Sequence, residues 1–277
     1  MKDLGNIHSQ LQRGVIPPPL EIDDRFAPDA DEIGELTEAF NSMADSLEQS
    51  EQRRQEFIAN VSHELKTPMT TIGGYVDGIL DGTIPKDNEK HYLQIVSSEV
   101  RRLSRLVRSM LDLSRLQAQG IDESRKTRFD LGDVMSDVLI TFEQKINARG
   151  LQVSVDLPEK PVWTKADRDA ITQVVYNLLD NAIKFCPVGG NLGLILEQDG
   201  QKARLRIRNT GQTIPPEELP LLFDRFHKAD KARSADREGW GLGLYIAKTI
   251  IGAHGGEIWA TSENGVTEFS FTLPAVR

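Results

Sequence analysis

The sequence predicts two folded parts in series: an all-α helical hairpin that forms a four-helix bundle as a dimer, and an α+β sandwich. Three observations predict them. Apolar residues recur at heptad spacing from about residue 33 to residue 110, as in helical bundles. After residue 125, alternating strand patterns are mixed with helical ones, which is typical of α+β folds. Residues 1–60 hold 5 basic and 13 acidic residues, and this charge asymmetry indicates separate modules.

The composition excludes several classes of protein. The chain has 277 residues, 39% of them hydrophobic, and a formal net charge of -9, which is typical of a globular protein of roughly one to three domains. An acidic chain lacks the basic footprint that nucleic-acid binding requires, so no nucleic-acid partner is expected. The single cysteine, Cys186, excludes an intrachain disulfide and a multi-cysteine zinc site, and it is expected to be a small buried residue. Neither an 18-residue apolar stretch nor a signal-peptide pattern is present, so a cytoplasmic location is expected.

The helical part shows two registers and a turn. An apolar seam with spacings of three and four starts at Ile33, and a second register recurs every seven residues from Ile58 to Ile79. The slip between them resembles a stutter between two stacked bundles. A turn is predicted at residues 81–88, followed by a helix that ends near Gly120. That helix has its apolar seam at Val96, Val100, Leu103, Val107 and Met110. One hairpin cannot cover its own apolar face, so a homodimer is expected.

The remaining chain reads as alternating helices and strands. Helices are predicted at about 131–148, at 167–185 and from 241, and strands at about 151–156, 192–197, 203–209, 256–261 and 266–273. Between residues 210 and 240 the sequence has little periodicity and many Gly, Pro and charged residues. A loop of that length in a compact domain is usually functional, which predicts a lid.

One histidine on the first hairpin helix suits nucleophilic chemistry. His63 lies five positions after Ile58, so its imidazole is expected to point away from the core seam and to be accessible. The adjacent Glu64 can accept the Nδ1 proton, which leaves Nε2 as the attacking atom. Pro68 removes the N–H that would bond to the Glu64 carbonyl, so a bend is expected just beyond the histidine. Taken alone, these residues also fit an ordinary surface histidine and a simple kink.

Five short motifs occur in a characteristic order. They lie at residues 63–68, 177–185, 209–211, 223–226 and 239–244, and read HELKTP, NLLDNAIKF, NTG, FDRF and GWGLGL. From about residue 30 onward the chain thereby resembles the sensor histidine kinases of bacterial two-component systems. In that family the corresponding motifs are the phosphoacceptor box, the N box, the first glycine box, the F box and the second glycine box. One glycine motif alone would be weak, but five in order make a chance match improbable.

The resemblance implies an ATP-dependent protein histidine kinase, which autophosphorylates His63 and passes the phosphoryl group to an Asp of a response-regulator receiver domain. Asn177, Asn181 and Lys184 lie at i, i+4 and i+7, hence on one helix face. Asn181, and with it Asn177, is expected to bind Mg²⁺, and Lys184 the triphosphate; an ordinary polar face is the alternative. Thr67, one turn beyond His63, is expected to orient a water that dephosphorylates the regulator, so the kinase is expected to be a phosphatase as well.

The glycine boxes and the lid are expected to supply the other nucleotide contacts. These are Asn209, Gly211, Arg225, Lys228, Gly239, Gly241, Gly243 and Leu244. Glycines ahead of a helix leave bare N–H groups for phosphate, and basic lid residues can neutralise charge at the γ-phosphate. The first glycine box departs from the family pattern, because Asn209 replaces an Asp that accepts from the adenine amino group and Thr213 replaces a second glycine. An amide oxygen still accepts, so ATP binding is expected to persist. Trp240 is expected to pack against the lid or the adenine pocket, or simply in the core.

Four segments are expected. Residues 1–27 are unassigned, 28–56 resemble the second helix of a HAMP signalling module, 57–120 form the dimerisation and phosphotransfer hairpin, and 121–277 form the ATP-binding catalytic domain. A membrane link is expected only through a segment upstream of this chain. Two alternatives remain open at this stage: an ATPase of the related gyrase and chaperone group without histidine kinase activity, and a non-catalytic dimeric signalling adaptor.

Overall fold

A computed structural model describes residues 30–119, 122–227 and 240–276. The chain divides into a unit that ends at Thr70 and a second unit that starts at Thr71. Helix α1, Ala30–Leu80, begins in the first unit and continues into the second. In the described part of the chain, none of the helices combines the length and apolar character that a membrane span requires.

Helix α1 contains the predicted phosphoacceptor segment and continues through Pro68 to Leu80. Proline cannot donate the main-chain hydrogen bond of its own turn. On either side of it, threonine hydroxyls donate to the carbonyl one turn earlier, Thr67 to that of His63 at 3.3 Å and Thr70 to that of Lys66 at 3.0 Å. Such back-bonding hydroxyls are common in bent or strained helical turns.

Helix α2, Lys86–Gln119, completes the hairpin. The turn is closed by the main-chain hydrogen bond from Ile84 N–H to the Gly78 carbonyl, 2.7 Å, and by the Thr83 N–H bond to the Asp81 carboxylate, 2.9 Å. Beyond the turn, the rings of Tyr75 and Tyr92 pack with centroids 4.9 Å apart. The predicted antiparallel hairpin is therefore present, with α2 starting inside the segment that the sequence assigns to the turn.

Many apolar side chains of α1 and α2 are exposed in a single copy of the chain. They are Met43, Leu47, Ile58, Met69, Leu80, Leu93, Val100, Val107 and Leu111. Ile58, Val100 and Val107 belong to the predicted seams, yet they are 49%, 48% and 45% exposed. In contrast, Leu106 and Leu113 on α2 are completely or almost completely buried. A single chain thus leaves the predicted seam half open.

The second unit contains the predicted α+β domain. Its strands are β1 Lys126–Asp130, β2 Gln152–Asp156, β3 Trp163–Asp167, β4 Asn191–Asp199, β5 Lys202–Thr210, β6 Ile258–Glu263 and β7 Val266–Pro274. Its helices are α3 Leu131–Thr141, α4 Glu143–Arg149, α5 Arg168–Phe185 and α6 Gly243–Ala253, with short 3-10 turns at Glu123–Arg125 and Pro220–Phe223. The predicted fold class, a helical hairpin followed by an α+β sandwich, is confirmed.

The main sheet has five strands in the order β2-β4-β5-β7-β6. Strands β2 and β4 are parallel, and the other pairs are antiparallel. Alternation along β5 turns Ala203, Leu205 and Ile207 toward the core, where each is fully buried. Helices α5 and α6 pack on this face. Seven apolar residues of α5 are buried, so its other face is left to form the wall of a site.

Two strands of the domain were not predicted from the sequence. β1 and β3 form a separate antiparallel pair, and both are short and largely polar, so neither shows a strong alternating pattern. Each ends in an aspartate that caps the next helix. Asp130 accepts from Gly132 N–H at 3.0 Å, and Asp167 accepts from Asp169 N–H at 3.1 Å. An Asp directly before an apolar helical pattern is a typical helix N-cap. Because each strand ends at such an Asp, this signal could have located both strand ends.

The helix predicted at about 131–148 is broken at Phe142. This residue has φ -98° and ψ 1° and separates α3 from α4. Its ring is 1% exposed and packs against Tyr176 on α5, with centroids 4.7 Å apart. Because the apolar periodicity continues across the break, the sequence pattern gave no indication of it.

His254 connects the end of α6 to the start of α5. It is 7% exposed, its Nε2 accepts from Asp167 N–H at 3.0 Å, and its Nδ1 donates to the Ile250 carbonyl at 2.9 Å. Both bonds require the neutral ring with its proton on Nδ1. Burial, which disfavours the charged ring, is the main reason why the pKa of His254 lies below its ordinary value of 6.5. The folded protein therefore binds a proton at this ring less readily than the unfolded chain.

We expect this difference to make the domain less stable in mild acid. Below pH 6.5 the unfolded chain takes up a proton that the folded chain does not, so the free energy of unfolding falls, by at most about 1.4 kcal/mol per pH unit from this group. The effect disappears above pH 6.5 and levels off below the lowered pKa. In His254→Gln, an amide supplies one donor and one acceptor but does not titrate. Urea unfolding at pH 7.5, 6.5 and 5.5 should show the stability advantage of the wild type over His254→Gln shrinking with acid, and a constant difference would contradict the prediction.

Candidate functional site

A cavity of about 980 Å³ lies beside α5, the end of β5 and the segment that leads into α6. Eight of the predicted nucleotide-binding residues line it: Asn177, Asn181, Lys184, Asn209, Gly211, Gly241, Gly243 and Leu244. They come from the N box and from both glycine boxes, which are far apart in the sequence. The fold therefore brings three of the motifs to one cavity.

Helix α5 presents the N box to the cavity. Asn177, Asn181 and Lys184 all line it and are all half-buried, as expected for the i, i+4 and i+7 positions of one face. The Asn177 side chain also holds the second glycine box in place, because its Nδ2 donates to the Gly243 carbonyl at 3.1 Å. Asp180 lines the cavity too, but its carboxylate accepts from Lys145 Nζ at 2.8 Å.

The first glycine box lies at the end of β5. Asn209 is 3% exposed, and its Nδ2 donates to the Thr210 carbonyl at 3.0 Å, so its Oδ1 is the atom that remains to accept from a ligand. Gly211 N–H donates to the Gly265 carbonyl at 2.8 Å. A Cβ on Gly211 would lie 2.9 Å from the Phe185 carbonyl oxygen. A glycine is therefore needed here for the close approach of β5 to the end of α5.

The second glycine box packs backbone to backbone against the F box. Gly241 has φ +68°, and a Cβ there would lie 2.7 Å from the His227 carbonyl oxygen. The Phe226 N–H donates to the Gly241 carbonyl at 3.0 Å, and Phe226 itself has φ 59°. Two residues with left-handed backbone conformation, Phe226 and Gly241, are therefore in contact where the two segments cross. Few residue types adopt this conformation, so the local sequence is strongly constrained. Lys228, Gly239 and the predicted lid residues between them lie outside the described residues.

Arg225 does not line the cavity, although the sequence predicts it near the phosphates. Its Nη2 donates to the Tyr245 hydroxyl at 2.6 Å, and its guanidinium carbon lies 4.6 Å from the centroid of the same ring. The structure thus places Arg225 against α6. The F-box pattern predicts a cation here but cannot predict which neighbour the cation contacts.

The sequence pattern does not mark every residue that lines the cavity, and those that it leaves out include Arg149, Glu218, His227 and Thr267. The Nε2 of His227 lies 2.9 Å from Glu218 Oε2, so this pair closes one side of the cavity. Arg149 Nη2 donates to the carbonyl of Cys186 at 2.5 Å, and Cys186 is fully buried, as the sequence predicts. His227 directly follows the F box, which is the one signal that could have identified it. Glu218 and Arg149 lie in segments without a recognisable motif.

The predicted phosphoacceptor belongs to the first unit. His63 is exposed on α1, the following Glu64 is half-buried, and Thr67 is exposed. The exposure of the imidazole agrees with the side of the helix that the seam predicts for it. The cavity, in contrast, is formed entirely by residues of the second unit.

Three family models match the chain. The HAMP domain matches residues 10–49, the His Kinase A (phospho-acceptor) domain residues 53–119, and the Histidine kinase-, DNA gyrase B-, and HSP90-like ATPase residues 166–277. This chain belongs to the sensor histidine kinases of two-component systems. The HAMP match begins within residues 1–27, the segment to which the sequence pattern assigns no module.

Individual relatives agree with this membership. Sensor protein SrrB of Staphylococcus aureus (strain MRSA252) is 38% identical over 226 residues, which is 81% of this chain and 38% of SrrB. The chain therefore spans less than half the length of the curated relatives that it matches. The structure of histidine kinase AdeS from Acinetobacter baumannii is 29% identical, with a TM-score of 0.64, and the match covers 78% of this chain and 98% of that one.

A further solved structure contains a partner. Histidine kinase ThkA, described in complex with the response regulator protein TrrA, is 27% identical to this chain with a TM-score of 0.65. The match covers 83% of this chain and 66% of that one.

Proposed function

We propose that this chain is an ATP-dependent protein histidine kinase that phosphorylates its own His63. The observation that carries the proposal is the cavity of about 980 Å³ at which the N box and both glycine boxes meet. An exposed histidine in a HELKTP segment occurs on the same chain, and an ATPase of the gyrase and chaperone group needs no such residue. The domain bounds that accompany the proposal are 57–120 for the phosphotransfer hairpin and 121–277 for the catalytic domain.

ATP fits the polar groups of the cavity. The Asn209 Oδ1 accepts from the adenine amino group, since the Nδ2 of the same side chain is engaged by the Thr210 carbonyl. At the other end, Gly243 begins α6, so free N–H groups and the positive end of the helix dipole are available to the phosphates. Lys184 adds a full positive charge close by. The Asn209 amide therefore still supplies the oxygen acceptor for adenine that a carboxylate supplies in the family pattern.

The donor set also fits Mg²⁺. Asn181 and Asn177 both line the cavity, and amide oxygens suit a hard cation. The Asn177 amide nitrogen is engaged by the Gly243 carbonyl, which leaves its oxygen for the cavity. We assign Asn181 as the principal ligand and Asn177 as the second. The metal ion, when bound, neutralises charge on the phosphate oxygens.

The proposed reaction is an in-line displacement. The lone pair on His63 Nε2 attacks the γ-phosphorus, a nitrogen–phosphorus bond forms, and the bond from phosphorus to the bridging oxygen breaks to release ADP. Glu64 accepts the hydrogen bond of the Nδ1 proton and stabilises the positive charge that develops on the ring. The phosphoryl group then passes to an aspartate carboxylate of a response-regulator receiver domain, which regenerates the neutral histidine.

We further propose that the kinase is a homodimer and the cytoplasmic portion of a membrane-bound sensor. Half-exposed seam residues such as Ile58, Val100 and Val107 need a second apolar surface, and a second hairpin supplies it in a four-helix bundle. The ThkA complex with a response regulator supports a receiver domain as the other partner. The proposal of a sensor rests on the HAMP match and on the longer chains of the curated relatives.

Incubation of the whole chain with γ-labelled ATP and Mg²⁺ tests the proposed activity. Label should become covalently attached, stable in base and lost in acid, as expected of a phosphoramidate. A chain that hydrolyses ATP but never becomes labelled would instead be an ATPase. A chain that neither binds nor hydrolyses ATP would be an adaptor.

Thr67 is our candidate for the phosphatase reaction, because it lies one turn beyond His63 on α1 and its side chain is exposed. In Thr67→Ala we expect autophosphorylation to stay within about twofold of the wild type. Dephosphorylation of a receiver domain that this kinase has phosphorylated should slow roughly tenfold or more, since a positioned water is lost. Thr70→Ala is the matched control, because its hydroxyl makes the same kind of back-bond one turn later. Equal phosphatase rates in Thr67→Ala and Thr70→Ala would exclude this role.

A further inference from the structure

Helix α2 of the hairpin contacts one wall of the cavity through a cation–π contact. The guanidinium carbon of Arg102 lies 4.0 Å from the ring centroid of Trp240, which is within cation–π range. Trp240 is 7% exposed and lines the cavity. The Arg102 side chain is 18% exposed, and its Nη1 lies 3.4 Å from Glu99 Oε2. Helices α2 and α6 are in contact as well, and both residues belong to the second unit.

The cation–π contact is favourable, but within the described part of the chain it leaves two buried N–H groups without hydrogen-bond partners. Among the described residues, neither Arg102 Nε nor Trp240 Nε1 has a hydrogen-bond partner, although both atoms are buried. Each is a donor without acceptor capacity, so they cannot pair with each other. A stacked cation stabilises the contact, whereas two buried donors without acceptors destabilise it. The net stability of such a contact is small, and it can therefore be made and broken by modest changes elsewhere.

Trp240 is well placed to affect the nucleotide site. It immediately precedes Gly241, whose left-handed turn packs against His227. Two residues later, Gly243 is held by Asn177 and begins α6. The Trp240 side chain thus adjoins the backbone groups proposed to receive the phosphates. Displacement of the ring opens that wall of the cavity.

From these contacts we infer that Arg102 is a positioning residue for nucleotide binding: it holds Trp240 in the cavity wall, so that nucleotide affinity depends on the position of α2. The inference rests on the proposed binding of ATP. Because coupling between two equilibria is reciprocal, bound nucleotide in turn stabilises the packing of α2 against Trp240. A movement of α2 is then transmitted to the nucleotide site through the contact between Arg102 and Trp240.

ADP with Mg²⁺, titrated calorimetrically into the whole chain, tests the inference. Arg102→Ala should weaken ADP binding roughly fivefold or more, since the contact is partly desolvated. Arg105→Ala is the matched control, because Arg105 is exposed on the same helix, and its affinity should stay within about twofold of the wild type. In autophosphorylation assays Arg102→Ala should raise KM for ATP and leave kcat at saturating ATP unchanged. A simple folding defect would lower kcat and the melting temperature instead.

A double-mutant comparison checks that Arg102 acts through Trp240. Trp240→Phe keeps a ring without the unsatisfied N–H, so ADP affinity should remain near that of the wild type. Trp240→Ala should weaken binding about as much as Arg102→Ala, and the double variant should be no weaker than Trp240→Ala alone. Two outcomes would overturn the inference. One is that the losses of ADP affinity in Arg102→Ala and Trp240→Ala add in the double variant, and the other is that Arg102→Ala binds ADP as tightly as the wild type. A wild-type chain that fails to bind ADP would overturn the proposed function, and this inference with it.

Discussion

His63→Ala should not be labelled by γ-labelled ATP at any time point, while the wild type acquires acid-labile label. The loss should be complete, because the substitution removes the nitrogen to which phosphorus becomes bonded in the proposed reaction, and the other proposed site residues supply only binding and charge neutralisation. The imidazole is exposed on α1, so its removal leaves no cavity in a core. ADP should therefore bind to the variant with an unchanged dissociation constant. The measurement is the covalent label retained after gel electrophoresis at alkaline pH.

His91→Ala is the matched control for this experiment. His91 is also an exposed histidine of the hairpin, and its ring contacts only the edge of Tyr92 among the described aromatic neighbours. We expect labelling of His91→Ala at the wild-type rate. Persistent label in His63→Ala would show that another residue is the phosphoacceptor, and it would remove His63 from the mechanism.

Asn181→Ala should reduce the rate of Mg²⁺-dependent labelling by about a hundredfold or more. A bound Mg²⁺ would neutralise negative charge on the phosphate oxygens, an effect of several kcal/mol in the transition state, and this substitution removes its principal proposed protein ligand. The side chain is half-buried at the cavity, so the fold should tolerate the change. Initial rates of labelling across a range of Mg²⁺ concentrations measure the effect. ADP binding in the presence of EDTA should change much less than the rate.

Gln173→Ala provides the control on the same helix. Gln173 lies one turn before Asn177 on α5, is half-buried, and is not among the residues that line the cavity. Its substitution also removes one amide and should leave the Mg²⁺ dependence unchanged. If Asn181→Ala is labelled as fast as Gln173→Ala at every Mg²⁺ concentration, Asn181 is not a metal ligand.

Much of the fold could be predicted from apolar periodicity. The helix of Arg168–Phe185 and the strand of Lys202–Thr210 lie within one or two residues of their predicted bounds, because each buries one face and exposes the other. The strand of Gln152–Asp156 also lies within one residue of its predicted bounds, although all five of its residues are exposed. Strands β1 and β3 were missed because a short polar ladder has no such pattern. The break at Phe142 was missed because the buried ring belongs to the periodic pattern that runs across it.

The candidate site was predictable only where a motif supplied the chemistry. Asn177, Asn181 and Lys184 could be placed on one face from their spacing, and the structure places them together at the cavity. Arg225 was predicted at the phosphates, yet it lies against Tyr245. A long flexible cation can reach several partners, and the choice among them depends on packing between segments that are distant in sequence.

The sequence by itself determined which chemical groups are present and which face of each element they occupy. His63 opposite the seam, the amide and ammonium groups of α5, and the glycines before α6 all follow from local spacing, since side-chain direction in a helix repeats with a fixed period. Only the tertiary structure decided which elements meet. The bond from Asn177 to Gly243 and the stack of Arg102 on Trp240 join segments that no local pattern connects, because such contacts depend on how separate elements pack their buried faces together.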